Sequence, residues 1–272
     1  MVNGYYPLSL KEALDFRASY DAVPYSGGTD LMIEADTAAN YLFLHQVPEM
    51  KQITQDNEYI RIGASCTFTE LLDHPLTPPL LKDAISQIAA PAIRNFGTVG
   101  GNIGNGSAKA DSALIFYVTD SIVRLMSSRD ERLMPIKDFY LGRKKLALAS
   151  DELIVEILIP KTSVCSYYYK KVGARKAQAI SRVCFAALLD ITDGKITKCA
   201  TAFGAVSEMI LRKGELDSML VGKTIAEAKA AKPEYLKSFE RVIIPISGRI
   251  SSEYRKDVCM NLLNDFLVTS GI

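Results

Sequence analysis

Five glycines fall within ten residues, at positions 97, 100, 101, 104 and 106. Glycine loses more backbone freedom on folding than any other residue. Such density therefore disfavours a packed domain unless the main chain there must come close to something. Phe96, Val99 and Ile103 are interleaved with these glycines, and side chains of that kind are driven to burial. An ordinary flexible surface loop is thus the weaker reading. The stronger one is a loop whose main-chain amides approach a phosphate or a ribityl chain. Asp111, a few residues on, is a candidate partner for hydroxyl groups.

A second segment has the same character. In Tyr25-Ser26-Gly27-Gly28-Thr29-Asp30-Leu31-Met32 an extended stretch ends, two glycines follow, and Thr and Asp precede a helical turn. Adjacent glycines let amides turn toward a ligand, and a helix start adds donors and positive partial charge. That suits a pyrophosphate. A tight turn followed by an N-cap would have the same residues, and the segment alone does not separate the two.

Composition narrows the setting. The 272 residues carry a formal net charge of +1, with 48% hydrophobic and 23% charged residues. Two or three small domains with a substantial core are expected, and neither nucleic acid nor an anionic membrane is indicated. No run reaches the roughly 18 apolar residues of a membrane span. Met1 to Pro7 lacks the basic-then-apolar pattern of a signal peptide, so a cytoplasmic location is expected. Cys66, Cys165, Cys184, Cys199 and Cys259 are scattered, with no C-x-x-C pair, and His45 and His74 are isolated. Reduced, unligated and mostly buried thiols follow, with no metal site on this chain.

The coarse secondary structure alternates helices and strands. Ser9 and Glu12 have capping-box spacing ahead of a first helix, and Thr67 and Glu70 ahead of another. Strands are expected at Tyr41–Val47, Tyr59–Ile62 and Leu153–Ile159, with a hairpin from Ile122 to Ile136 around Ser127–Arg132. Helices are expected at Leu80–Ala90 and Ala113–Val118. Cys165–Val172, Val183–Ile191 and Ile196–Val206 are three further strands, the last two joined by the turn signal Asp193-Gly194. Ser252–Val268 closes the chain as a helix. Domain boundaries are placed near Gln55–Tyr59 and Pro160–Val164.

Several motifs fail. Gly104 and Gly106 start a dinucleotide G-x-G-x-x-G, but Lys109 occupies the third glycine position. Gly222-Lys223-Thr224 looks like the end of a P-loop, yet Asp217 stands where its first glycine belongs. Tyr167-Tyr168-Tyr169 with Lys170-Lys171 reads as a strand alternating core and surface rather than a base-stacking patch.

Taken together, the two glycine segments resemble the paired motifs of the FAD-binding medium subunits of molybdenum hydroxylases. Ser26 to Leu31 is similar to A-G-G-T-D-L, with Ser for Ala. Ile93 to Ile103 is similar throughout to I-R-N-x-G-T-x-G-G-N-I. Asn105 to Ser112 resembles bacterial xanthine dehydrogenase FAD subunits in particular. Asp138-Phe139-Tyr140, Asp151 to Pro160, Tyr169-Lys170, Ala179 to Ser181, Phe203 to Val206, Leu211-Arg212 and Tyr254-Arg255 extend the likeness over nearly the whole chain.

The resemblance implies an α+β fold. FAD-binding subdomains at 1–55 and 56–161 together resemble the vanillyl-alcohol-oxidase-type FAD domain. A C-terminal domain at 162–272 packs a three-stranded antiparallel sheet against helices. It also implies that Tyr25, Ser26, Gly27, Gly28, Thr29, Asp30, Leu31 and Met32, with Thr98, Val99, Gly100, Gly101 and Asn102, bind FAD around its pyrophosphate. Asp111 is then expected at the ribityl hydroxyls, with Leu153 and Lys170 near the flavin. Ile88 stands where some relatives have an aromatic residue against FAD, so stacking is lost there. The molybdenum cofactor and [2Fe–2S] clusters are expected on a large and a small partner subunit, with NAD⁺ or another acceptor taking the electrons. Two rivals remain at this stage. A stand-alone flavoprotein oxidoreductase would be a monomer with its own substrate activity, and an FAD-less scaffold would be colourless.

Overall fold

The computed structural model describes residues 3–163 and 166–272; Cys165, the first residue of one expected strand, lies outside them. The first elements are β1 (Asn3–Tyr5), α1 (Leu10–Ser19), β2 (Val23–Tyr25) and β3 (Asn40–Phe43), which form a parallel sheet in the order β1-β3-β2. Ser9 caps α1 by accepting from the Glu12 amide at 3.3 Å. The Glu12 carboxylate passes Ser9 and accepts from Leu8 at 2.8 Å, so the expected capping box is half made. β3 is shorter than expected: beyond it the chain turns through Val47 into a 3-10 turn at Pro48–Met50.

A second, antiparallel sheet is built from β4 (Ile53–Gln55), β5 (Tyr59–Gly63), β6 (Ile122–Met126) and β7 (Glu131–Pro135), with the short hairpin β8 (Tyr140–Gly142) and β9 (Lys145–Leu146) leading to β10 (Leu153–Pro160). The order β4-β5-β10-β6-β7 puts β10 in the centre. Both faces of β10 are covered, which is why its sequence is a nearly continuous apolar run rather than an alternating one. Its half-buried exception, Glu156, is met by Arg61 at 3.0 Å and Arg124 at 3.7 Å from the two neighbouring strands.

Between β5 and β6 lie α2 (Phe68–Asp73), α3 (Pro79–Ser86), α4 (Pro91–Arg94), α5 (Val99–Gly104) and α6 (Asp111–Val118). The Thr67–Glu70 capping box at α2 is complete, with bonds of 3.2 and 2.7 Å. α3 stops at Ser86, four residues before the expected end. The left-handed backbone of Ala89 (φ 45°) breaks it, and Pro91 opens a new turn at once. The glycine-rich stretch is itself partly helical, capped by Thr98 through the Gly101 amide at 3.1 Å. α6 is buried at every position and has no polar face, because it lies between the second sheet's helices and the C-terminal sheet. A short helix α7 (Ile136–Phe139) follows β7.

The C-terminal sheet comprises β11 (Ser166–Val172), β12 (Val183–Thr192), β13 (Lys195–Gly204) and β14 (Leu211–Arg212). It therefore has a short fourth strand beyond the expected three. Asp193 and Gly194 both take positive φ, 52° and 75°, as a type I′ hairpin turn demands. β12 is buried on both faces. Cys184, Ala186 and Leu188 join the core of the N-terminal elements, whereas Val183, Phe185, Ala187 and Leu189 face α9 (Ile225–Val242) and α10 (Ser252–Thr269). α9 is not among the helices expected from the sequence, because Pro233 interrupts its pattern. Thr224 and Glu227 form a complete capping box there.

The helical turn α8 (Gly214–Asp217) carries Asp217, which is almost fully buried. Its carboxylate accepts from the Thr201 amide at 3.0 Å, the Thr201 hydroxyl at 2.7 Å, the Tyr235 hydroxyl at 3.0 Å and the Arg212 guanidinium. Burial lifts this carboxyl from its ordinary 3.8 to about 6, against the opposing pull of Arg212 and the Thr201 bonds. A raised folded-state value means that the folded protein takes up a proton before the unfolded chain does. The resulting stabilisation is complete below pH 3.8 and is lost as the pH rises through 6. Urea unfolding should therefore show wild type gaining on the order of 2–3 kcal/mol over Asp217→Asn as the pH falls from neutrality to about 4. Parallel pH profiles for the two proteins would contradict this.

Candidate functional site

One cleft, of about 460 Å³, collects residues from both glycine segments. β2 delivers the chain to Ser26, after which Gly27 and Gly28 turn it toward the 3-10 turn Leu31–Glu34. Both glycines are required by the structure. A Cβ on Gly27 would lie 1.9 Å from the Phe96 carbonyl oxygen, so the two segments touch backbone to backbone. Gly28 takes φ +66° beneath the Tyr25 ring, where a Cβ would lie 2.1 Å from the tyrosine oxygen. The rest of the lining comes from Ala64 and Ser65 after β5, from α5, from Lys144 and from Glu152 to Ile154 at the start of β10.

The amides of the two segments have different employment. Those of Gly27, Gly28, Thr29 and Asp30 donate to no acceptor among the described residues. In α5, by contrast, Val99 donates to the Cys66 carbonyl at 3.1 Å and Gly100 to the Ala64 carbonyl at 2.8 Å. Gly101 donates to the Thr98 hydroxyl at 3.1 Å and Asn102 to the Thr98 carbonyl at 3.0 Å. The anion-binding capacity therefore sits in the first segment, because unpaired amides beside a cleft call for an acceptor. Of the α5 glycines, Gly100 brings the helix onto the Ala64 backbone, where a Cβ would lie 2.7 Å from the carbonyl oxygen. Leu31, Leu44, Leu153 and Ile154 give the cleft an apolar lining. A ligand with an anionic middle and apolar rings fits such a surface, as a flavin dinucleotide does.

The structure gathers Ser26, Gly27, Gly28, Thr29, Asp30, Leu31, Thr98, Gly100, Gly101, Asn102 and Leu153 around this cleft. The other expected residues are not part of its lining. Tyr25 covers Gly28 and packs on Phe43 at 4.6 Å, Met32 is half exposed, and Val99 is wholly buried in the core. Ile88 packs against the same core. Asp111 is buried and accepts from the Ser181 hydroxyl at 2.6 Å and the Lys171 ammonium at 2.7 Å. Lys170 is exposed and pairs in register with Phe185, on the face of β11 that carries Tyr168 toward α10. Alternation along a strand sends consecutive side chains to opposite faces, so Lys171, not Lys170, turns inward; it also donates to the Gln87 carbonyl at 2.8 Å.

Ser65, Lys144, Asn105 and Glu152 line the cleft and were not anticipated. Ser65 lies 3.4 Å from Ser26, hydroxyl to hydroxyl. Glu152 belongs to the same Asp151–Ile154 motif as Leu153. Arg132 holds it bidentately at 2.6 and 2.7 Å and keeps its carboxyl below the usual range. Four cysteines are free and buried, as expected of them, and no group of three or more potential metal ligands occurs among the described residues.

Fold and cleft thus define an α+β protein whose cleft presents unpaired main-chain amides. The family described as FAD binding domain in molybdopterin dehydrogenase matches residues 1–162, and that described as CO dehydrogenase flavoprotein C-terminal domain matches residues 167–270. The xanthine dehydrogenase FAD-binding subunit of Escherichia coli O157:H7 is 34% identical over 198 residues, covering 69% of this chain and 68% of that protein. The nicotinate dehydrogenase FAD-subunit of Eubacterium barkeri is 32% identical over 232 residues, covering 79% and 78%. Among solved structures, the carbon monoxide dehydrogenase of Oligotropha carboxidovorans matches 97% of this chain and 96% of its own at a TM-score of 0.88 and 24% identity. Quinoline 2-oxidoreductase from Pseudomonas putida 86 matches 100% and 97% at 0.88 and 23%. These two likenesses are of fold alone. The chain belongs to the FAD-binding medium-subunit family of the molybdenum hydroxylases, and is an FAD-binding oxidoreductase subunit.

Two stability predictions follow from this geometry. Gly27→Ala should cost about 1–3 kcal/mol, since its methyl meets a carbonyl that cannot retreat without moving the second glycine segment. Lys171→Met should cost about 3–5 kcal/mol by leaving Asp111 buried without its cation. Adding Asp111→Asn to that variant should cost much less than it does alone. Chemical denaturation of the four proteins of that cycle measures the coupling, and additive losses would contradict it.

Proposed function

We propose that this chain is the electron-transfer subunit of a xanthine dehydrogenase-like molybdenum hydroxylase. It takes electrons from [2Fe–2S] clusters on a small subunit and passes them to NAD⁺ or another acceptor. Substrate is hydroxylated at a molybdenum cofactor on a separate large subunit. The observation that carries this reading is the run of four unpaired amides at Gly27–Asp30 in a cleft with apolar walls. Bound there, FAD supplies the redox chemistry, which no side chain of the site could provide. This chain's residues bind and orient the cofactor. The Gly27–Asp30 amides hold its diphosphate, Ser26 and Ser65 present hydroxyls beside them, and Leu153 and Ile154 offer an apolar surface that excludes water.

The domain division belongs to the same proposal: 1–55 and 56–161 as the two FAD-binding subdomains and 162–272 as the C-terminal domain. It is supported by the three-stranded sheet lying within 1–55 and the four-stranded sheet within 162–272, while the five-stranded sheet lies in 56–161 apart from β4 (Ile53–Gln55), just before the first boundary. The wider cofactor set, Asp111 and Lys170 included, is proposed only as far as the flavin extends beyond the cleft described above. A cytoplasmic location accords with there being, among the described residues, no helix long and apolar enough to cross a membrane.

Co-expression with its partner subunits should yield a yellow complex that reduces NAD⁺, or an artificial acceptor, in the presence of substrate. Flavin and protein should co-elute in equal amounts. A fully active complex without flavin would refute the reading, as would an isolated chain that oxidises a substrate unaided.

A further inference from the structure

The β8–β9 hairpin places one lysine in an unusual backbone state. Lys144 takes φ 55°, in the left-handed region that costs a side-chain-bearing residue roughly 1–3 kcal/mol. It is held there by an interlock with the glycine-rich segment. The Lys144 amide donates to the Gly106 carbonyl at 3.0 Å, and Gly106 is itself left-handed at φ +62°. A Cβ on Gly106 would lie 2.9 Å from the Lys144 Cα, so only glycine there lets the two backbones meet. The outcome of this costly arrangement is that Lys144 lines the cleft while remaining exposed at its edge.

Its charge is uncommitted. Lys144 has no ion-pair partner among the described residues. The other cation lining the cleft, Arg17, is a half-buried guanidinium that gives Nη1 to the Ala22 carbonyl and keeps its Nε unpartnered among the described residues, and burial disfavours its charged form. Of the acids there, Glu152 is neutralised by Arg132 and Asp30 is exposed. A cleft whose unpaired amides select an anion therefore has a single free ammonium at its lip.

We infer that Lys144 supplies the counter-charge for the diphosphate of the bound dinucleotide, and that the Lys144–Gly106 interlock exists to place it. This rests on the FAD-binding reading given above. The test uses the full chain stripped of flavin and titrated with FAD by calorimetry. Lys144→Gln and Lys144→Gly should each weaken FAD binding about tenfold to a hundredfold, the weight of one charge-assisted hydrogen bond. Lys144→Arg should keep the wild-type affinity. The flavin-free Gln variant should melt with wild type, and the Gly variant no lower, because glycine relieves the left-handed strain. Unchanged affinity in the Gln variant, or an equal loss in the Arg variant, would overturn the role of Lys144 alone. A wild-type chain that binds no FAD would overturn the underlying reading as well.

Discussion

The contact of Gly27 with the Phe96 carbonyl is the constraint on which the site depends. It joins a turn of the parallel N-terminal sheet to the glycine-rich segment of the antiparallel one with no side chain between them. The two segments that meet there divide the labour: Gly27–Asp30 keep their donors free, whereas the first turn of α5 spends its donors on Ala64, Cys66 and Thr98. Gly100 in α5 is thus first a packing device, since only a residue without a side chain fits against Ala64.

A second joint ties the C-terminal sheet to this arrangement. β12 turns one face to the N-terminal core and the other to α9 and α10, so the sheet is shared between two apolar cores rather than appended to one. The Lys171–Asp111–Ser181 group sits in this joint, with both charged side chains over nine-tenths buried. An ion pair so buried stabilises little on its own account, but either half left alone would be costly. It therefore fixes which face of β11 meets the first turn of α6. This is also why Asp111, a natural candidate for a ligand's hydroxyls, is found bonded within the protein.

Much of the secondary structure was legible. The Thr67–Glu70 box, the Asp193-Gly194 turn and the apolar run of β10 each have a local physical cause that appears within a few residues of sequence. Elements went unread where the cause was not local. α9 carries the same capping box as α2, but Pro233 breaks its pattern, and only packing on the C-terminal sheet shows that the helix continues. α3 ends early because Ala89 adopts a left-handed backbone that no residue type there signals; Arg94 donates to the Ile88 and Ala89 carbonyls at 2.8 and 3.2 Å.

The cleft divides in the same way. The chain's own letters determined the two glycine segments, the lack of metal-binding spacings and the kind of ligand that unpaired amides would serve, since these depend on residue type and short-range geometry. Tertiary structure alone decided that the lysine turned inward is 171 and not 170, that Ser65, Lys144 and Glu152 stand beside the glycines, and that the first-turn amides of α5 are already bonded. Such facts depend on strand register and on which backbones touch across tens of residues, and neither is encoded in any single stretch of the chain.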